Sequence, residues 1–341
     1  MQFAIIDPQF DGAPAIERAA VGPEIDIKVI QYAPPQPIAA DLLATADAAI
    51  NYRGRHALTR AVLEKLVRCR IVVQGGVGFN SVDIEAAGAL GIPVCNVPNY
   101  GTSEVADHAV GLVLALARGV VAYNDRLRQR DDAWSAISLP SVRRLRGGTF
   151  GVVGLGRIGM AAARRAAGFD MQVAFYDPYL PSGTELATGF KRASSLEALL
   201  GQCDVVSVHT PLTDETRGMV NRNFVAALKP GAIYVNTSRG QTQDLDAIYD
   251  GLKSGQIHAA GIDVLPDEPM QRTHKLLREW TAGAAWLEGR VIVTPHAAFF
   301  SPPGLDDLRR IANETAYLYL TRGELRDCVN LAHLRHRRGA P

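Results

Sequence analysis

A repeated alternation of strand-like and helix-like segments, interrupted once and resumed after a glycine-rich turn, predicts an α/β chain with two parallel-sheet domains. Three observations carry that reading. Short apolar, β-branched runs alternate with helical stretches from Phe3 to Asn96. At 149–159 (TFGVVGLGRIG) an apolar run breaks into Gly154-x-Gly156-x-x-Gly159 and then becomes Ala-rich. A second alternation follows it as far as Thr294. The 341 residues are enough to bury two moderate cores. A net charge of +1, with 21% charged and 47% hydrophobic residues, describes a soluble globular chain with no surface selected for nucleic acid.

In order, the first alternation reads as strand 3–6, helix 14–21, strand 25–30, helix 41–46, strand 48–52, helix 59–66 and strand 71–74. Gln74-Gly75-Gly76-Val77-Gly78 then lies at the carboxyl end of a strand, where open α/β sheets place their ligands. Glycines there either leave backbone N–H groups to line a concavity for an anion such as a carboxylate, or simply make a tight turn. Strand 92–96 and the segment 98–101 lead out of the domain. From Ser103 to about Gln129 runs one long Ala/Leu/Val helix, too apolar for a single buried face. Burial in a subunit interface and burial between two domains of one chain both account for it.

The second alternation opens with the glycine turn, and each glycine has its own reason. A side chain at Gly154 blocks the turn, one at Gly156 strikes the phosphates of a dinucleotide, and one at Gly159 pushes the helix off the strand. Strand 172–176 ends in Asp177, placed to accept hydrogen bonds from the adenosine ribose and to repel a 2′-phosphate, so NAD is expected rather than NADP. Helix 196–200, strand 205–209, helix 222–228, strand 232–236, helix 245–254, strand 259–264 and strand 291–294 complete a doubly wound nucleotide domain over roughly 100–298. Helix 303–321 leaves it and is expected to rejoin the first domain, making that domain discontinuous. The run His333-Leu334-Arg335-His336-Arg337-Arg338 is expected to be a solvated terminus. No basic region precedes a long apolar core at the N-terminus, and no apolar run approaches about 18 residues, so neither export nor membrane spanning is indicated. Cys69, Cys95, Cys203 and Cys328 are scattered, without metal-ligand spacing, and read as reduced thiols in the cytoplasm, with no metal site.

Arg239 in VNTSRG, Glu268 in DVLPDEP and His296 in VTPHAAFFS sit at the carboxyl ends of strands in this second half. Singly they could be a helix cap, a solvated acid and a core histidine. Together, beside a dinucleotide turn, they suit hydride transfer to a carbonyl. A planar guanidinium holds a carboxylate and a developing oxyanion with paired donors. A histidine supplies the proton, and a neighbouring carboxylate fixes its tautomer and favours its charged form.

The motifs GVGFNSVDIEAAGALGIPVCNVP, SEVADHAVGLVLALAR, GVVGLGRIG, HTPLTDET, VNTSRG, GIDV and TPHAA resemble the D-isomer-specific 2-hydroxyacid dehydrogenases over nearly the whole chain. FYDPYL, TPHAAFFS and the late CVN look like the subgroup of the C-terminal-binding corepressors. The resemblance implies two Rossmann-like domains: a doubly wound NAD domain over 100–298, inserted into a discontinuous flavodoxin-like substrate domain over 1–99 and 299–341. It implies reduction of a 2-oxo acid to the D-2-hydroxy acid with NADH, Arg239 binding substrate and Glu268 pairing with the acid/base His296. It further implies that Asp263 holds the nicotinamide carboxamide, that Arg157 and Ile158 touch the pyrophosphate, and that Thr210 and Pro211 lie near the adenosine. The Gly76 and Val77 amides would take the substrate carboxylate, and the helix after Ser103 would form a homodimer.

Several positions depart from the family. Gln74 replaces a frequent Arg, with Arg53 in NYRGR the candidate substitute. Asn80-Ser81 replaces Asp-Asn, and Gln241-Thr242-Gln243 replaces a Gly-rich continuation. The segment from Glu268 to His296, with Trp280 and Trp286, is long enough to be either a substrate lid or a plain insertion. Phe299 and Phe300 suggest a substrate with an apolar side chain. The rival reading is an NADH-responsive binding protein with little or no turnover, similar to the corepressors.

Overall fold

The computed structural model describes residues 1–31, 35–129, 134 and 138–339, and the chain divides into two compact units, Met1–Gly101 with Phe300–Pro341, and Thr102–Phe299. The first unit begins with β1 (Gln2–Ile6), α1 (Ala15–Val21), β2 (Asp26–Ile30), α2 (Ala40–Thr45), β3 (Ala48–Asn51), α3 (Arg60–Leu63), β4 (Ile71–Gln74), α4 (Ile84–Ala89) and β5 (Val94–Asn96). These strands pair in parallel in the order β2-β1-β3-β4-β5. β3 and β4 are buried along their whole length, which explains why they read as unbroken apolar runs rather than as alternation. The pattern reading passed over α4, although Asp83 caps it by accepting from the Ala86 N–H at 2.9 Å.

The second unit continues with α5 (Thr102–Arg118), α6 (Val120–Gln129), β6 (Thr149–Val153), α7 (Arg157–Ala167), β7 (Gln172–Tyr176), α8 (Thr184–Thr188), β8 (Lys191–Arg192), α9 (Leu196–Leu200), β9 (Val205–Val208), α10 (Arg222–Ala227), β10 (Ala232–Asn236), α11 (Leu245–Ser254), β11 (Ile257–Ile262), α12 (Lys275–Thr281) and β12 (Val291–Val293). Its parallel sheet has the order β12-β11-β10-β9-β6-β7-β8. The chain fills one side of β6 with β7 and β8 before crossing to β9, so the topological switch lies between β6 and β9. The single long helix expected after Ser103 is two, bent by 58° at Gly119, whose φ of +64° is the left-handed value that ends a helix. α5 packs on its own unit through Ala109, Leu112, Val113, Leu116 and Ala117, and this accounts for much of its apolar content. Gly261 makes room for it, since a Cβ there would stand 3.0 Å from Leu112 Cβ. Among the described residues no single helix is long and apolar enough to cross a membrane.

α13 (Pro302–Arg322) returns the chain to the first unit. It is fastened there by a buried ion pair: the Arg309 Nε and Nη2 each donate to Glu17 at 2.7 Å. The Tyr52 hydroxyl donates to Glu17 at 2.9 Å and accepts from Asn313 at 2.7 Å, and the guanidinium lies 3.9 Å from the centre of the Phe10 ring. With every charge in the cluster partnered, burial of Glu17 is tolerated. The C-terminal charge run is not simply a solvated end. His333 fills the space beside Gly88, the His336 ring lies against Gly91, and Arg338 donates to the Leu66 carbonyl at 2.7 Å.

Candidate active site

At the switch point Gly154 has φ +89°, and a Cβ there would meet the His209 carbonyl carbon at 3.2 Å. At Gly159 a Cβ would lie 2.2 Å from the Gly154 oxygen, so this glycine lets α7 press onto the turn. Gly156 differs from both. A Cβ there would meet nothing within 4 Å, so the space over it is open, at the N-terminus of α7 where an anion is favoured. Arg157 is exposed and Ile158 half-buried on the first turn of α7. Asp177 accepts from the Leu155 N–H and the Tyr179 N–H, both at 3.0 Å, which binds the end of β7 to the glycine turn and leaves each oxygen further acceptor capacity. Thr210 Oγ1, beside Pro211 past β9, and Thr237 Oγ1, past β10, are buried hydroxyls without a hydrogen-bond partner among the described residues. An open glycine cradle, a strand-end carboxylate and two waiting hydroxyls fit a dinucleotide.

Glu268 and His296 stand on the loops after β11 and β12. His296 Nδ1 lies 2.8 Å from Glu268 Oε2, while Glu268 Oε1 accepts from the Leu265 N–H at 2.9 Å. The carboxylate therefore favours the proton on Nδ1 and leaves Nε2 without a partner among the described residues. Burial raises the Glu268 carboxyl, but the hydrogen bond and charge of His296, the Leu265 amide and the Arg239 charge bring it below its ordinary value. The Arg239 charge acts on Glu268 within one unit, so all three candidate residues are gathered at this edge.

His296 is held at φ +53°, a strained value for a side-chain-bearing residue. Its own N–H donates to the Asp263 carbonyl at 2.8 Å. The buried Asp263 carboxylate clamps the rest of the turn, accepting from Thr294 Oγ1 at 2.5 Å, the Ala297 N–H at 2.9 Å and the Ala298 N–H at 3.1 Å. Since Thr294 gives its proton to Asp263, it accepts at 3.0 Å from His108 Nε2. The Asp263 carboxylate is thus occupied with shaping the turn that carries His296, a duty the sequence did not reveal. The Phe299 ring stands edge-on to His296 with centroids 6.4 Å apart.

Arg239 follows β10 and is carried by a buried polar network. Asn236 Oδ1 accepts from the Ser238 N–H and hydroxyl at 2.9 and 2.7 Å, and Thr242 Oγ1 donates to the Arg239 carbonyl at 2.6 Å. Gln241-Thr242-Gln243, the departure from the Gly-rich pattern, ties this turn to the next one. Gln243 donates to the Val264 carbonyl at 2.8 Å, and Gln241 to the Pro266 carbonyl at 3.0 Å. Gly240 permits the contact, because a Cβ there would fall 1.9 Å from the Leu265 carbonyl carbon. Sequence reasoning missed Gly240, Asn236, Thr294 and His108 as supports, although VNTSRG, TPHAA and VADHAVG contain them.

Trp280 and Trp286 form a packed annex on α11, not a free loop. Trp286 donates to Glu279 at 2.6 Å, meets the Tyr249 ring edge-on at 5.6 Å and carries Lys253 over its face at 3.6 Å.

Arg53, Gly76 and Val77 belong to the first unit. Gly76 has φ +121°; its carbonyl accepts from the Val97 N–H at 2.9 Å, and that of Val77 from Asn96 at 2.6 Å. Neither amide of the pair has a partner among the described residues, as an anion-binding turn requires. Gln74 is buried, accepts from the Ser81 hydroxyl at 2.8 Å, and leaves no cation there. Two departures from the family thus explain each other. Arg53 is exposed and, with Arg55, Gln9 and Gln31, lines a cavity of about 200 Å³ at the carboxyl ends of β1, β2 and β3.

Residues 110–298 match the family described as D-isomer specific 2-hydroxyacid dehydrogenase, NAD binding domain. The chain is 34% identical over 315 residues to the D-3-phosphoglycerate dehydrogenase of Mycobacterium bovis, covering 92% of this chain and 56% of that relative. It thus spans about half the length of the curated relatives it matches. Among solved structures it is similar to D-lactate dehydrogenase from Aquifex aeolicus complexed with NAD and lactic acid, at TM-score 0.81 and 26% identity over 100% of both chains. It is also similar to an NADPH-dependent glyoxylate/hydroxypyruvate reductase from Sinorhizobium meliloti in complex with NADP and malonate, at TM-score 0.83 and 28% identity over 100% of this chain and 99% of that one.

Proposed function

The chain belongs to the D-isomer-specific 2-hydroxyacid dehydrogenases, and on that premise we propose that it reduces a 2-oxo acid to the D-2-hydroxy acid with NADH. The observation that carries the proposal is the His296–Glu268 pair at 2.8 Å, with the Arg239 charge acting on the same carboxylate. Bound NADH supplies the hydride; the chain's own groups do the rest. Arg239 orients the substrate and offsets the charge that grows on its carbonyl oxygen. His296 Nε2 delivers a proton to that oxygen, and Glu268 stabilises the imidazolium before delivery and fixes which nitrogen is used. In the reverse direction the same nitrogen removes the hydroxyl proton. Asp177 supports the choice of NADH over NADPH, since each of its oxygens keeps room for a ribose hydroxyl and its charge opposes a phosphate. The Gly76 and Val77 amides and Arg53 are our assignments for substrate contacts on the first unit, and the edge of Phe299 favours an apolar substituent.

The test is NADH oxidation with pyruvate, glyoxylate, hydroxypyruvate, phenylpyruvate and a methylthio-oxobutyrate. Turnover on at least one of them, abolished by His296→Ala with NADH affinity retained, is the expected result. Tight NADH binding with no turnover on any of them removes the reductase reading and leaves the nucleotide-responsive binding protein.

A further inference from the structure

Cys95 and Cys328, far apart in sequence, are direct neighbours in the fold, contrary to the scattered arrangement the sequence suggested. Cys95 is the central residue of β5, and Cys328 lies opposite it in an antiparallel bridge made by the segment after α13. The flanking bonds define the bridge: the Asn96 N–H donates to the Asp327 carbonyl at 3.2 Å, and the Val329 N–H donates to the Val94 carbonyl at 2.8 Å. Because the bonds are made by the residues on either side, Cys95 and Cys328 are a non-hydrogen-bonded pair. In such pairs the Cα atoms stand about 4.5 Å apart, inside the range that a disulfide spans. Both thiols are free, and the Cys328 thiol donates to Asn330 Oδ1 at 3.3 Å. Asp327, the residue before Cys328, is at φ +46°, so the turn that presents this thiol is itself strained.

We propose that Cys95 and Cys328 are a thiol pair that a peroxide oxidises to an intramolecular disulfide, fastening the C-terminal segment to β5. The division of labour follows from position. Cys328 is half-buried and reachable, whereas Cys95 is fully buried beneath it. The interaction between the two neighbouring thiols holds Cys328 below the ordinary thiol range and, with burial, drives Cys95 well above it, so Cys328 carries the thiolate. The Cys328 thiolate attacks one peroxide oxygen, the O–O bond breaks, and sulfenic acid forms as hydroxide leaves. The Cys95 sulfur then attacks the Cys328 sulfur, the S–O bond breaks, and the departing hydroxide takes the Cys95 proton as water. Two thiols are oxidised and one peroxide is reduced to two waters. The bond would close a very long loop of chain, the case in which a cross-link restricts the unfolded state most.

The experiment uses the full chain, reduced, freed of reductant, exposed to hydrogen peroxide and alkylated under denaturing conditions. Peptide mapping is expected to show Cys95 joined to Cys328, an intact mass lower by two hydrogens before alkylation, and alkyl groups on Cys69 and Cys203 alone. After trypsin cleavage beyond α13 the C-terminal fragment stays attached without reductant and is released with it. The oxidised protein melts at a higher temperature than the reduced one, and Cys328→Ser loses both effects. In Cys95→Ala, dimedone traps the sulfenic acid on Cys328. Four alkylated cysteines after peroxide, Cys328 joined to a second copy of the chain, or Cys328 carried to sulfinic acid with Cys95 still alkylated would each overturn the proposal. The wild-type map decides the matter even if a variant fails to fold.

Discussion

Gly240→Ala tests the site geometry at its narrowest point. The added Cβ would fall 1.9 Å from both the carbonyl carbon and oxygen of Leu265 and 2.5 Å from Pro266 N. No side chain can swing aside, because all three atoms are backbone. Restoring ordinary contact at about 3.4 Å requires the two turns to part by about 1.5 Å. The peptide that must move belongs to the residue whose N–H holds Glu268, and Pro266 anchors Gln241, so the displacement passes directly to the His296 partner. Misplacing a catalytic group by about 1 Å costs on the order of 10²-fold, and overpacking of this kind costs about 1 to 3 kcal/mol. We therefore expect kcat/KM for the best 2-oxo acid to fall about 10²-fold and Tm to fall by about 2 to 12 °C for a unit of this size. NADH affinity, measured by fluorescence titration, should change little, since the glycine cradle at 154–159 lies on another turn. Gly111→Ala is the control: that glycine is helical with nothing within 4 Å of its Cβ position, so the change should leave activity intact and add about 0.5 to 1 kcal/mol. A Gly240→Ala enzyme within about twofold of wild-type kcat/KM, with an unchanged melting curve, would refute the close approach and the positioning argument built on it.

Three further outcomes follow from the same structure. Asp177→Ala should weaken NADH binding by about 10- to 100-fold, the worth of hydrogen bonds to a charged acceptor, and narrow the gap between NADH and NADPH; an unchanged ratio of the two KM values would exclude Asp177 from the ribose. Glu268→Gln should lower kcat on the order of 10²-fold and abolish the acid dependence of the pair. The sign is set by the depressed Glu268 carboxyl: its contribution is complete above the ordinary carboxyl value of 4.5 and is lost as pH falls through the lower folded value. Because its side chain is 37% exposed, the matching stability change is under about 1 kcal/mol. His209, which meets Ser207 at 2.8 Å, is pushed by burial from 6.5 down to about 4. The unfolded chain takes up this proton first, so stability is complete above pH 6.5 and declines towards pH 4, by about 3 to 4 kcal/mol at about 1.4 kcal/mol per unit. His209→Gln should flatten urea-derived stability over that interval, and an unaltered slope would place the titration elsewhere.

What could be read from the residues, and what could not, divides by the range of the interactions involved. The glycine turn was legible because each glycine answers to a contact within the same strand–turn–helix unit, and Arg239, Glu268 and His296 because each ends a strand the pattern could locate. The break at Gly119 was also written locally, as Arg118 followed by glycine, the usual end of a helix, and the apolar run on either side concealed it. The two-residue β8 carries no pattern at all, and exists because Lys191 and Arg192 pair with Ala174 and Phe175 of β7. The remaining surprises are meetings between distant segments: Gln74 with Ser81, His333 with Gly88, Cys95 with Cys328, Gln241 with Pro266. At the catalytic edge this has a particular consequence. The three side chains proposed to react are specified by residue type at strand ends, but their spacing is set by Gly240, Gln241, Gln243, Asp263 and Thr294, which link one turn to the next. Substitutions among these five should alter turnover while leaving every reactive group in the chain, so a retained catalytic triplet is by itself weak evidence that a relative is active.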